Sequence, residues 1–238
     1  MINKEFQTFL KKQKLNRKNT IILEANFSNL ANHFESTSDF IETLTNFFDA
    51  GNIIVPAFTD KSVLDGDHFN LSIKTDSGEI SQTIVDMKES FRSVHPTHSF
   101  CILGKDKIKL GRKHESEKTP LGKKCPLALA SNVKLVFIDS DINNSSYCSH
   151  LEQMNKVPYL FKKGEKATYH INNKPLKYIP YVKSQYGFNS KFKEIVSLLN
   201  IEPVYFNGIE VYILDAKQVK NIFKSKIEEN PYYFITKN

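Results

Sequence analysis

The sequence contains no tryptophan, only three cysteines, and only nine glycines and nine prolines in 238 residues. Each shortage narrows the field. Cys101, Cys125 and Cys148 are widely spaced and form no Cys-x-x-Cys pair, so the sequence offers no basis for a zinc site or a thioredoxin-like redox motif. A sparse, odd set of thiols fits a reducing compartment. No apolar run approaches the roughly 20 residues needed to cross a bilayer. The first residues, Met1-Ile2-Asn3-Lys4-Glu5-Phe6, lack the apolar core of a signal peptide. The expectation is a soluble, cytoplasmic protein with no membrane insertion.

What is present is ordinary for a globular chain: 40% hydrophobic and 25% charged residues, with 18 Phe and 10 Tyr supplying aromatic bulk. A chain of this length buries roughly 70–75% of its unfolded surface, so neither a metal nor a disulfide is needed to hold it, and no metal is expected. The net charge is +7. Such a balance suits nucleic acid or a small anionic ligand. The basic residues form no single stripe: eight Lys or Arg fall between positions 105 and 124, broken by Asp106, Glu115 and Glu117. No RNA- or DNA-binding motif accompanies them, so a solvated lysine-rich face is expected rather than nucleic-acid binding.

Strand-like and helix-like segments alternate. Thr20–Leu23, Asn52–Val55, Phe100–Leu103 and Val133–Ile138 are short apolar runs typical of strands buried on both faces. Ser36–Phe48 reads as a helix: Ser36 is a candidate N-cap, Ile41, Leu44, Phe47 and Phe48 share one face, and Gly51 lies beyond the end. Further helices are predicted over Ile80–Phe91, Ser145–Asn155, Asn189–Leu199 and Ala216–Glu228. Thr168–Asn172 and Lys177–Val182 suggest a hairpin around Asn172-Asn173-Lys174-Pro175. Pro203–Phe206 and Ile209–Leu214 flank Asn207-Gly208, a strong hairpin signal. Lys61–Gly78 fits neither period and reads as a long surface loop near a site. There is no internal repeat or low-complexity linker. The pattern predicts an α/β fold, a single domain over residues 1–238 with a central mixed sheet flanked by helices and an antiparallel hairpin excursion.

Potential chemistry concentrates in Arg92-Ser93-Val94-His95-Pro96-Thr97-His98-Ser99. An Arg, two Ser and two His crowd eight positions ahead of a strand, and Pro96 holds His95 extended. Arg grips phosphate or carboxylate with two parallel bonds, and His serves as a base near neutral pH.

This block, followed by Gly104, resembles the R-S-x-H-P-x-x-S…G segment of the aminoglycoside 3-N-acetyltransferase family. Other segments are similar in the family's order. They are Gly51-Asn52-Ile53-Ile54-Val55-Pro56-Ala57-Phe58-Thr59, His114 with Thr119-Pro120-Leu121-Gly122 and Cys125-Pro126-Leu127, and Ser146–Tyr159. Phe206-Asn207-Gly208 through Asp215-Ala216-Lys217, then Asn230-Pro231, complete the series. The resemblance implies acetyl transfer from acetyl-CoA to an amine of an amino sugar. It implies His150 as base, with Glu152 and His95 completing the catalytic set. Asn26, Phe27 and Ser28 would lie along the pantetheine arm, with Arg92 and Ser93 also on the cofactor side. Thr59, His98 and Ser99 would face the acceptor.

Three departures stand out. The family's helix His lies three residues before its Glu, whereas His150 is two before Glu152 and Ser149 holds the corresponding position. The family's V-H-S-S-L-x-x-L-G segment appears as Leu23-Glu24-Ala25-Asn26-Phe27-Ser28-Asn29-Leu30-Ala31, and the acid expected ahead of the last helix is not evident around Lys183–Gly187. They motivate an alternative, a relative that binds CoA or sugar without turnover. The +7 charge is poorly matched to polycationic aminoglycosides and better matched to a nucleotide-linked amino sugar. A homo-oligomer is left open.

Overall fold

The computed structural model describes residues 2–59, 68–162, 167–171, 174–178, 181–183 and 188–237. The chain begins with helix α1 (Ile2–Lys12), where Phe6 and Leu10, one turn apart, are buried, while Glu5 and Lys11–Lys12 suit the two ends of the helix dipole. The sequence reading assigned this segment no element. Phe6 anchors it, lying 4.8 Å from Phe206 and 5.5 Å from Phe34 between ring centroids. Burial of a side chain that size stabilises by about 2–3 kcal/mol.

Strand β1 (Thr20–Ala25) leads through the short helix α2 (Phe27–Leu30) and helix α3 (Thr37–Phe47) to β2 (Asn52–Phe58). Ser36 caps α3 as expected, its Oγ accepting from Asp39 N at 3.1 Å. Helix α4 (Glu79–Asp86) is followed by the two-residue strand β3 (Phe91–Arg92) and by β4 (His98–Gly104). The helix expected to reach Phe91 therefore stops early: Met87 turns extended, and Phe91 and Arg92 pair with Ile102 and Cys101. Edge pairing outweighs the helical spacing there.

Helices α5 (Lys107–Gly111) and α6 (Pro126–Leu129) precede β5 (Val133–Ile138), and α7 (Ser146–Asn155) follows it. Next come β6 (Leu160–Lys162), the hairpin β7 (Ala167–Ile171) and β8 (Lys174–Tyr178), β9 (Tyr181–Lys183) and β10 (Phe188–Ser190). The hairpin's second arm starts at Lys174, earlier than predicted. Asn172 and Asn173 lie outside the described residues, as do positions 61–67 of the predicted loop and 184–187 of the segment searched for an acid. Helix α8 (Glu194–Leu198), strands β11 (Val204–Phe206) and β12 (Ile209–Asp215), helix α9 (Ala216–Glu229) and β13 (Ile235–Lys237) complete the chain. The helix predicted over Asn189–Leu199 is thus only partly helical. Phe188–Ser190 pairs instead with Ile235–Lys237, a partner more than 40 positions away that no local pattern reveals.

The main sheet runs β11-β12-β5-β1-β2-β4-β3. Strands β5, β1 and β2 are parallel; β12, β4 and the two edge strands are antiparallel. The sheet is mixed and flanked by helices, as the alternation predicted. Because successive side chains point to opposite faces, Leu23, Val55 and Cys101 pack with α1–α4, and Ile22, Ile54 and Phe100 pack with α5–α9. Gly104 has φ +116, and a Cβ there would come within 2.3 Å of Gly51 O, so only glycine fits where β4 leaves β2.

Candidate functional site

The C-terminal ends of β5, β1 and β2 and the N-terminal end of β4 share one edge of the sheet. From β1 the chain crosses to β2 through helices on one face, whereas β5, on the other side of β1, is entered from helices on the opposite face. The crevice outside β1 and β5 is therefore a topological switch point, where α/β sheets bind ligands.

Strand alternation divides the Arg92–Ser99 block between the two faces. Arg92 is buried toward α1–α4. Its Nε donates to Ser99 Oγ at 3.0 Å, NH2 to Ala57 O at 3.0 Å and Thr59 Oγ1 at 3.1 Å, and NH1 to the carbonyls of Leu71 and Ile73. Ser99 Oγ donates to Ala57 O at 2.6 Å, and the guanidinium lies 5.3 Å from the centre of the Phe69 ring. Arg92, Thr59 and Ser99 thus form a clamp between β2, β4 and residues 69–73.

The other half forms a histidine cluster on the opposite face. Ser93 Oγ accepts from Phe100 N at 2.8 Å and donates to His114 Nδ1 at 2.9 Å, while His114 Nε2 donates to Pro120 O at 2.9 Å. His95 stacks on His114 with ring centroids 5.2 Å apart, and its Nδ1 accepts from the amides of His98 and Thr97. His95 therefore carries its proton on Nε2. Burial pushes His98 and His114 down to about 4 and His95 well below its usual value; for His95 and His98 the neighbouring His114 adds to the effect. All three are neutral at pH 7.

At the switch point, Glu24 Oε1 accepts from Ser146 N at 2.8 Å and Ser146 Oγ at 2.7 Å, tying β1 to the first turn of α7. Burial raises its carboxyl to about 7 against the opposing pull of those two bonds. Next to it, Asn26 caps α2, its Oδ1 accepting from Ser28 N at 3.0 Å and Ser28 Oγ at 2.9 Å; Phe27 is buried.

Helix α7 carries His150 and Glu152 on different sides, because two residues subtend about 200° of a helix. His150 Nδ1 donates to Leu121 O at 2.7 Å, leaving Nε2 as an acceptor, and burial lowers its pKa. The group that orients His150 is thus a backbone carbonyl. Gln153, three residues on, accepts from Leu121 N at 3.0 Å and completes the grip on that peptide. Glu152 is buried and accepts from Tyr159 OH at 3.0 Å. Cys125 Sγ lies 3.6 Å from His150 Nδ1, but burial pushes its thiol up to about 12, so it stays protonated near neutral pH. His150 lines a cavity of about 530 Å³ with Tyr147, Leu127, Lys123, Lys220 and Lys224. Among the described residues no group of three or more His, Cys, Asp or Glu could hold a metal ion, and no helix is long and apolar enough to cross a membrane.

Residues 22–225 match the family model described as aminoglycoside 3-N-acetyltransferase. The chain belongs to that family of acyltransferases. Several solved structures share its fold. The YokD protein from Bacillus subtilis superposes with a TM-score of 0.76 at 18% identity, covering 96% of this chain and 99% of that one. An AAC-IIIb binary complex with CoASH gives 0.80 at 14%, covering 95% and 96%. The aminoglycoside acetyltransferase AAC(3)-IVa apoenzyme gives 0.78 at 14%, covering 98% and 90%. A comparison with curated protein sequences gives no match.

Within this family frame, His95, His98 and Ser93 converge, Arg92, Thr59 and Ser99 converge separately, and Glu152 faces Tyr159. Sequence reasoning assigned no role to Glu24, the cavity lysines Lys220 and Lys224, or Leu121 as the partner of His150. A carboxylate ending an otherwise apolar strand, Ile21-Ile22-Leu23-Glu24, was the available signal for the first. Lys220 and Lys224, one helical turn apart, were a signal only once α9 was docked beside α7.

Proposed function

We propose that the chain transfers the acetyl group of acetyl-CoA to the amine of an anionic amino sugar, such as a nucleotide-linked one, with His150 as the base. The observation that carries this reading is the cavity beside α7. It joins a neutral imidazole with an available Nε2 to three lysines over an apolar wall. A basic rim favours phosphate and disfavours a polycation, and this local potential is a firmer guide than net charge.

Acetyl-CoA supplies an activated thioester carbonyl. The open edge at the switch point, with Asn26 and Ser28 exposed beside buried Phe27, suits a long polar arm. His150 Nε2 takes the proton released as the amine attacks. Arg92 and Ser93 serve by holding the loop and the histidine cluster in place, and Thr59 and Ser99 by anchoring Arg92. His95 and His98 wall the site as neutral rings. Glu152 holds α7 against Tyr159.

Thiol release from acetyl-CoA, measured over a panel of amino sugars, tests the reading. His150→Ala should lower turnover by about 10²–10⁴-fold. Lys220→Glu with Lys224→Glu should raise KM for a nucleotide-linked amino sugar by about tenfold and spare a cationic aminoglycoside. Turnover of aminoglycosides with none of nucleotide-linked sugars would sink the acceptor assignment. CoA binding without thiol release from any amine would favour the relative that binds without turnover, to which the altered His150/Glu152 spacing and the changed first-strand segment point.

A further inference from the structure

We propose that Glu24 is a second catalytic residue, the general acid that protonates the departing thiol while His150 accepts the proton of the amine. This inference rests on the acetyl-transfer reading above and adds to it the group that serves the leaving side.

Three observations converge on Glu24. It stands at the switch point of the sheet, where ligands of α/β proteins bind. Its side chain lies on the α5–α9 face, shared with Ile22, Phe100 and the His114 ring, and away from the Arg92 clamp. It is bonded to Ser146, and His150 lies four residues further along α7, so the two attachment points are neighbours about 6 Å apart on one side of the helix.

The environments of the pair push their proton affinities in opposite directions. Burial lowers His150, which keeps it a base, and raises Glu24 to about 7, which keeps much of it in the acid form at neutral pH. Ser146 links Glu24 to the helix that carries His150, and two groups tuned apart in this way fit acid and base assignments. In the step, the N–C bond forms and the thioester C–S bond breaks. The N–H proton passes to His150 Nε2, and the Glu24 carboxyl proton passes to sulfur. The proton on His150 then returns to Glu24 through solvent, so no co-reactant is consumed.

The first measurement is the titration of Glu24 in the protein without substrates, by carbon NMR of labelled glutamate with Glu24→Gln to assign the signal. A midpoint near 7 is expected. Ser146→Ala, which removes a bond favouring the ionised form, should move it higher. Titration in the ordinary carboxylate range, or no movement in Ser146→Ala, overturns the proposal even if Glu24→Gln fails to fold.

The second measurement compares acetyl-CoA with an aryl acetyl thioester, whose more acidic thiol leaves without a proton. Glu24→Gln should lower kcat with acetyl-CoA by about 10²-fold at unchanged KM, with most of the loss restored by the aryl donor. An equal loss with both donors, or no loss, overturns the acid role and leaves the acetyl-transfer reading intact. A wild-type protein that releases thiol from neither donor removes that reading, and the inference with it.

Discussion

The two faces of the central sheet use the same eight-residue block for different ends. On the α1–α4 side, Arg92 directs its guanidinium at Ser99, Ala57, Thr59, Leu71 and Ile73, so its donors are spent inside the protein. On the α5–α9 side, Ser93 sets the tautomer of His114, which stacks on His95, and Glu24 of β1 is bonded to Ser146 of α7, the helix that carries His150. One face is built for rigidity, and the other holds the neutral histidines and Glu24, the groups proposed to move protons. Adjacent residues can serve such separate ends because a strand turns successive side chains to opposite faces.

The comparison can be broken most severely at Arg92. Arg92→Met should cost about 3–5 kcal/mol in chemical denaturation, since it removes the donor from the carbonyls of Leu71 and Ile73 and from the buried Thr59 hydroxyl. A loss below about 1 kcal/mol would show that the clamp is dispensable. Acid tests the other face. His98 and His114 titrate at about 4 in the folded chain, below the unfolded value near 6.5. The unfolded chain therefore binds protons first as pH falls. Stability should be full above pH 6.5 and decline towards pH 4, by about 3 kcal/mol for the first imidazole protonated. Melting curves independent of pH across that window would contradict the burial of the cluster. The smallest effect lies outside both halves of the site: Ser36→Ala should remove the α3 cap for about 1 kcal/mol and leave turnover unchanged.

Much of the scaffold was legible in the chain. The apolar run Val133–Ile138 is β5 residue for residue, Ser36 caps the helix it precedes, and Asn207-Gly208, both at positive φ, turns β11 into β12. These features depend on neighbours in sequence. The pairing of Phe91–Arg92 depends on β4 beyond an intervening loop and that of Phe188–Ser190 on a partner more than 40 positions away, and the expected helices Ile80–Phe91 and Asn189–Leu199 overlap these segments. Family resemblance located the candidate site's segments but not the direction of each side chain. Arg92 was expected on the cofactor side, yet its donors serve the clamp. His150 and Glu152 were both placed in the catalytic set, and their two-residue spacing sets them on different sides of α7.

The sequence by itself determined the alternation of strands and helices, the family, and the segments that carry chemistry, because hydrophobic period, caps and turn residues act over a few positions. The tertiary structure decided which residues of those segments meet. It set Leu121 against His150, Ser146 against Glu24, and two lysines of α9 beside the imidazole. Such contacts follow from how the helices pack on the sheet, and burial there shifts the proton affinities of Glu24 and the histidines.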